Sequence, residues 1–386
     1  MKMIAPIAQR LRLDGVEVVI LALTTASSFL KQVGIPHSQL KDYVSRFPEA
    51  ENIRRTGARL ASGLAPNPDV DPMETEAYLG LGYWSLSKRH GDLEAERRYA
   101  DKGRYAFEPD AAVEVLLDEI RPDFVLATTS PRFEESFLRC AKKRGLQNGC
   151  LVNIYNSVLF SSKVPAMSFV DVFFVPGDFE AIKMSENGIV RDRIMVTGNP
   201  AFEAHNEQTF KEEGRKLRSQ FFPEKKVVIL FAKASVHTRF AAFDDLIEEC
   251  LYQLVGHHPH VGLIIRNHPN DPTRRRDVAG VLYSRLDETI AGVIHASDIV
   301  VSQLSTVGIE SKFIGKKVLQ CAHSLEDLKI INYEEIGVGK SAIGIESFLA
   351  KLDPWLEVSH SSKESAVTFQ SSNLIAAYIK NVFEKN

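Results

Sequence analysis

Ala296–Leu319 reads ASDIVVSQLSTVGIESKFIGKKVL, and its reading decides the fold. Ile299–Ser302 is a short β-branched apolar run, which predicts a buried strand. Ser305-Thr306 makes a turn, Thr306–Ile314 predicts a helix stopped by Gly315, and Lys317–Leu319 predicts the next strand. Strand, tight turn, helix and strand in so few residues is the repeating unit of a parallel sheet. The first backbone N–H groups of such a helix have no intrahelical partner, and the helix dipole adds positive potential, which together make a cradle for an anion. Ser305 and Thr306 add hydroxyl donors, Val307 and Gly308 add amides, and Gly308 lets a phosphate approach the backbone. Glu310, within the first turn, can accept from ribose hydroxyls. The alternative is that Ser305 is only an N-cap, with Glu310 as its capping partner.

The same alternation of short strands and amphipathic stretches extends in both directions. Downstream of Pro223, strands are predicted at Val227–Phe231, Val261–Arg266 and Gly292–His295, with a helix at Ala242–Val255. Upstream, strands are predicted at Glu17–Ala22, Phe124–Thr128, Cys150–Ile154, Val172–Val175 and Ile194–Thr197, with helices at Pro131–Arg144 and Phe179–Asn187. Pro72–Ile120 is a charge-rich helical insert, and Ser372–Glu384 is a last helix. Met1–Leu13 already reads as the helix that should follow an opening strand, so that strand is expected to be missing.

The expected architecture is therefore α/β: two Rossmann-like doubly wound domains facing across a cleft, with the ligand at the carboxyl ends of the strands. The first domain is expected over residues 1–205, a connector over 206–222, the second domain over 223–365, and over 366–386 a C-terminal helix that crosses back to the first domain. A chain of 386 residues fits two domains better than one core. A net charge of −3 gives no general pull toward nucleic acid, and no partner of that kind is expected. The widely spaced Cys140, Cys150, Cys250 and Cys321 read as thiols in a reducing cytoplasmic compartment. His257-His258-Pro259-His260 lacks nearby acidic or thiol ligands, so no metal is expected.

Other candidate site residues stand where strands end. Val261–Arg266 delivers Arg266, a fork for phosphate, and His268, which Pro269 holds extended. Val227–Phe231 runs into Lys233, Ser235 and His237, donors without the glycines of a P-loop. In the first half, Phe124–Thr128 leads to Arg132, Glu134 and Glu135. Adjacent helical positions point about 100° apart, so at most one of these two carboxylates faces a substrate.

Taken together, VTGNP at Val196–Pro200, His268-Pro269, STVGIE at Ser305–Glu310 and GKKVL at Gly315–Leu319 resemble GT-B-fold proteins of the UDP-N-acetylglucosamine 2-epimerase and bacterial polysaccharide glycosyltransferase group. The resemblance implies a nucleotide-sugar donor held by the second domain and no further cofactor. It implies phosphate at Ser305–Gly308, ribose at Glu310, and a phosphate contact from His268. The His-Pro and Ser-Thr pairs are also similar to enzymes that use CMP-linked sugars or CDP-glycerol, which leaves the base open. The chain departs from the epimerase pattern at Thr128-Thr129-Ser130, where epimerases carry Gly-Asp, and at Tyr155-Asn156-Ser157, where they carry Glu-Ala-Gly. Epimerisation needs acids and bases around the sugar ring, whereas transfer needs held phosphates and one base. The expectation is a metal-independent glycosyltransferase of capsule, lipopolysaccharide or other surface-glycan assembly. Its acceptor would be a glycan or a lipid-linked sugar, met at the inner membrane face within an assembly complex. Arg266, Lys233, His268 and the Thr306–Gly308 amides would stabilise the leaving nucleotide, with Glu134, or less directly His37, as the base. An epimerase or hydrolase, or a non-catalytic nucleotide-sugar-binding subunit, are the alternatives.

Overall fold

The computed structural model describes residues 1–152, 167–233, 240–268, 276–285, 287–357 and 370–384. The chain divides into two compact units. The first holds the described residues up to Ala201 together with those from Gln370 onward, and the second holds Phe202 to Glu357.

In the first unit, β1 (Phe124–Thr128), β2 (Gln147–Leu151), β3 (Val172–Val175) and β4 (Ile194–Val196) form a parallel sheet in that spatial order. Side chains alternate across a strand, and each face finds its own cover. Cys150, Phe173 and Val175 pack with Leu138, Ala141 and Met184 of the connecting helices. Leu151, Val172 and Phe174 pack instead on Ile7, Leu11, Ile375 and Ile379, from helices Ile4–Leu13 and Ser371–Glu384. The last helix thus returns to the first unit, where Lys380 pairs with Asp14 at 3.2 Å. Glu17–Ala22, expected as a strand, makes only a single bridge between Leu21 and Ser38, because no neighbouring strand extends the ladder there.

The helical insert forms helices Pro72–His90, Asp92–Lys102 and Asp110–Ile120. Asp71 caps the first through the Met73 N–H at 2.9 Å, with Pro72 in the first turn where its missing N–H does no harm. Among the described residues of this unit, Glu74 and Glu180 are buried carboxyls outside any ion pair. Glu74 takes the Lys41 N–H at 3.1 Å, and Glu180 sits in the first turn of the helix that follows β3. Burial pushes both up to about 7.

The second unit has strands β5 (Val227–Ala232), β6 (Val261–Arg266), β7 (Val281–Tyr283), β8 (Ile299–Ser302), β9 (Lys317–Ala322) and β10 (Lys340–Ile343). All are parallel, in the order β10-β9-β8-β5-β6-β7. The chain moves outward from β5 to β7 and returns to β8 on the other side, so helices cover both faces. β5 is buried throughout, as a central strand must be. Val227, Ile229 and Phe231 face Ile247 and Leu251 on one side, while Val228 and Leu230 face Val293 and Ile294 on the other. Gly292–His295, expected as a strand, is instead part of helix Ile290–Ala296. Thr289 caps its start through the Gly292 N–H at 3.0 Å, and the run is too short and too close to β8 to reach another strand position. Residues 206–222, expected as a connector with a helix over Glu207–Gln220, carry helix Gln208–Phe221, whose Leu217 enters this core and whose Arg218 pairs with Asp298 at 2.7 Å.

Candidate functional site

Between β5 and β8 the winding of the second sheet reverses, and open α/β sheets present a crevice beyond the strand ends at such a point. A groove of about 360 Å³ lies there. Phe240, Phe243 and Leu246 come from the start of the helix after β5, Gln303 follows β8, and His323 and Ser324 follow β9. The Phe243 and His323 rings meet edge to face with centroids 4.9 Å apart.

Gln303 is the most informative of these side chains. Its amide nitrogen donates to the Phe240 carbonyl at 2.8 Å and to Asp244 at 2.6 Å. Two acceptors around the NH₂ fix the amide's orientation, and its Oε1 is then buried without a hydrogen-bond partner. A buried acceptor left in that state costs about 1–3 kcal/mol. Gln303 lines the groove, but this oxygen has almost no accessible surface, so a ligand donor would reach it only after a small shift of the wall.

Beside the groove, the turn between β8 and helix Thr306–Phe313 is satisfied largely from within. Ser305 is the N-cap: its hydroxyl accepts from Val307 N–H at 3.2 Å, and its carbonyl accepts from Gly308 N–H at 3.2 Å. Its own N–H donates to Ser302 Oγ at 3.1 Å. Among the described residues this leaves the Thr306 N–H without an acceptor. Three expectations for this turn are corrected. Val307 presents no spare amide, because Ser305 has taken it. Gly308 is small for an internal reason: a Cβ there would lie 2.4 Å from the ring of fully buried Tyr333, whose hydroxyl donates to the Ser305 carbonyl. Glu310 is neither a capping partner nor an open carboxylate, since it accepts from Thr306 Oγ1 at 3.1 Å and pairs with His205 Nε2 at 2.8 Å.

Lys233 also differs from expectation. It is buried, and its ammonium bonds Glu248 at 2.7 Å and Asp245 at 3.1 Å. Burial disfavours its charge, yet the two carboxylates raise its pKa above the usual lysine range, so its charge is consumed inside the unit. Tyr283 also donates to Glu248, at 2.6 Å, and Tyr252 hydrogen-bonds the same carboxylate. Arg266 turns toward the end of β7, donating to Ser284 Oγ at 3.1 Å and to the Arg285 carbonyl, and burial lowers its pKa. His268 is half-buried just past the end of β6. Ser235 and His237 lie outside the described residues.

In the first unit, Glu134 Oε2 accepts from the Thr128 N–H at 2.9 Å and from the Thr128 hydroxyl, which pins helix Phe133–Lys143 to the end of β1. Glu135 points away and pairs with Arg139 at 2.9 Å, as the helical geometry requires. Both ring nitrogens of His37 are engaged, with the Ile35 carbonyl at 2.9 Å and Ser27 Oγ at 2.7 Å.

The structure thus gathers Ser305, Thr306, Val307, Gly308 and Glu310 into one turn. It adds Gln303, Phe243, Tyr333 and His205, which sequence reasoning missed. Gln303 could have been noticed as a polar residue continuing an apolar strand, whereas nothing in sequence tied Tyr333 or His205 to the turn. Among the described residues, no group of three His, Cys, Asp or Glu side chains could hold a metal, and no helix is long and apolar enough to cross a membrane.

No protein-family model and no curated protein matches the sequence. Solved structures do match it in fold. Staphylococcus aureus MnaA, solved with UDP, is 14% identical with a TM-score of 0.60, covering 99% of this chain and 93% of its own. The Neisseria meningitidis UDP-GlcNAc 2-epimerase, solved with UDP-GlcNAc, is 15% identical with a TM-score of 0.61, covering 98% and 96%. The Methanocaldococcus jannaschii UDP-GlcNAc 2-epimerase is 10% identical with a TM-score of 0.61, again covering 98% and 96%. The chain has the fold of these proteins along nearly its whole length, the GT-B-like α/β architecture that the sequence motifs implied.

Proposed function

We propose that the second unit binds the nucleotide of a UDP-linked sugar at the carboxyl ends of β5, β8 and β9, and that the protein transfers the sugar as a glycosyltransferase of surface-glycan assembly. The observation that carries this reading is the groove at the sheet's reversal, with Gln303's unmet carbonyl in its wall beside a helix start whose Thr306 N–H is open. Uracil, unlike cytosine, carries the ring N3–H that the Gln303 carbonyl lacks, to be met once the wall shifts to uncover that oxygen, and the Phe243 ring offers the base an aromatic neighbour. The diphosphate lies toward Thr306, where one amide, one hydroxyl and the helix dipole favour negative charge.

Within this reading Ser305 shapes the turn, and Glu310, engaged by Thr306 and His205, braces it rather than meeting the ribose. His268, just past the end of β6, is the candidate contact for the departing phosphate, whereas Arg266 is turned toward the end of β7. Stabilising that phosphate's developing charge is the main catalytic contribution. Glu134, with Oε2 held by Thr128 and Oε1 uncommitted among the described residues, serves as the base that takes the acceptor's proton.

A second reading, isomerisation or hydrolysis of UDP-N-acetylhexosamine, is favoured by the full-length likeness in fold to solved 2-epimerases. Incubation with UDP-N-acetylglucosamine and no acceptor separates the two. Transfer predicts negligible product until an acceptor is added. Appearance of the epimer, or of free sugar with UDP, supports the second reading. Tight UDP binding with no turnover under any pairing identifies a non-catalytic binding subunit.

A further inference from the structure

The first unit contains a separate groove of about 490 Å³, walled on one side by helix Phe133–Lys143 and on the other by the end of the helical insert. Its volume falls in the range of small-molecule sites, roughly 300–1,000 Å³. Four cations line it, Arg89, Arg132, Arg139 and Lys143, against three carboxylates, Glu108, Asp110 and Glu135. Arg89 pairs with Glu108 at 2.7 Å, Arg139 with Asp110 at 2.7 Å and with Glu135 at 2.9 Å, and Lys143 lies 3.6 Å from Asp110. Among the described residues Arg132 is paired with no carboxylate. Every negative charge in the wall is already taken, and the excess positive charge resides on Arg132.

That guanidinium is also held in place. Its Nε donates to the Tyr78 hydroxyl at 2.7 Å, and its plane lies 5.3 Å from the centre of the Tyr105 ring. Tyr105 is 74% exposed, so its ring is open to a ligand in the groove it lines. The Arg132 backbone has φ 73° and ψ −113°, a conformation that L side chains rarely adopt and that costs of order 1–3 kcal/mol. Glycine would take this backbone conformation without strain. A fixed guanidinium with both terminal nitrogens open is a ready fork for an oxyanion.

We infer that this groove binds the oxyanion of an anionic sugar, carboxylate or phosphate, through Arg132, with Tyr105 covering the sugar ring. The inference deepens the transferase reading and rests on it only in naming that sugar the acceptor. The binding itself is independent of the nucleotide site.

Isothermal titration of the full chain with N-acetylglucosamine 1-phosphate, N-acetylneuraminate and uncharged N-acetylglucosamine tests it. At least one anionic sugar should bind ten-fold or more tighter than the neutral one, and the two anionic arms distinguish phosphate from carboxylate. Arg132→Gln should abolish the preference, Arg132→Lys should restore part of it, and Tyr105→Ala should weaken binding of charged and neutral sugars alike. Equal binding of all three sugars, no binding of any at millimolar concentration, or a preference that survives in Arg132→Gln would overturn the inference. A parallel UDP titration keeps the two claims apart. Loss of the anion preference with UDP binding intact removes only this groove, and absence of UDP binding with the preference intact removes only the nucleotide site.

Discussion

At the carboxyl end of β5, Lys233 is buried between Glu248 and Asp245; beside β1, Arg132 stands half-exposed with no carboxylate to meet it. The lysine has the position that sequence logic assigns to a phosphate, yet its charge is spent on the fold. The arginine reads in sequence only as a residue beyond a strand end, with no ligand given to it, yet its charge is available. Position at a strand end therefore does not identify a ligand-binding cation. The balance of charges around it does.

The largest expected effect tests the lysine side of this contrast. Lys233→Met leaves Glu248 buried and unpaired and should destabilise the second unit by roughly 3 kcal/mol or more, since breaking one partner of a buried pair costs about 3–5 kcal/mol. UDP affinity at a temperature where the variant is folded should change little. A stable variant with lost UDP affinity would reverse the assignment. Trp355 lies in the second unit and Trp84 in the first, so single-tryptophan variants report the melting of each unit by fluorescence.

The two units should also differ in their response to pH between about 4.5 and 7. Glu74 and Glu180 keep their protons up to about pH 7 in the folded first unit, whereas in the unfolded chain they lose them near 4.5. The folded state therefore binds more protons across that window, and first-unit stability falls as pH rises through it. Each group contributes up to roughly 3 kcal/mol at pH 8, at about 1.4 kcal/mol per pH unit. Glu180→Gln should remove about half of the slope seen by Trp84. In the second unit, burial pushes the Glu248 carboxyl up but Lys233 and the tyrosine hydroxyls hold it below its usual range. Its contribution is present above the unfolded pKa and is lost as pH falls, so Trp355 should report destabilisation on the acid side.

Gly308→Ala should cost about 1–3 kcal/mol, the usual range for overpacking, because the added methyl meets the Tyr333 ring. It should weaken UDP binding only as far as it displaces the turn, which Trp355 melting and UDP titration together can measure. The smallest effect belongs to the other side of the comparison. Arg132→Gly relieves the positive φ and should stabilise the first unit by about 1 kcal/mol, with loss of the anionic-sugar preference. A destabilised Arg132→Gly would mean that the arginine is structural.

The architecture was legible because burial of parallel strands is written locally. β5, β6 and β8 are continuous apolar runs, and the stop signals around Gly315 sit next to the helices that they end. Two strand assignments failed for tertiary reasons. Gly292–His295 is apolar enough for either element, and packing against helix Gln208–Phe221 makes it helical. Glu17–Ala22 has the composition of a strand but no neighbour to pair with. The turn at Ser305–Glu310 was legible as a strand–turn–helix junction, but the contacts of its side chains were not. Tyr333 and His205 reach it from distant parts of the chain and take up the space and charge that local reasoning left for a ligand. The Arg132 conformation, and the absence of a carboxylate around it, depend on the surrounding insert and have no local signature.

The account stands most directly on UDP binding at the β5–β8–β9 edge, measured by calorimetry against CMP and ADP with wild type, Gln303→Leu and Thr306→Pro. It predicts one UDP site per chain, preferred over ADP, weakened about ten-fold by Gln303→Leu, which removes the unmet carbonyl, and by Thr306→Pro, which removes the open N–H. Equal affinity for the three nucleotides, or UDP affinity untouched by both substitutions in folded protein, would contradict it.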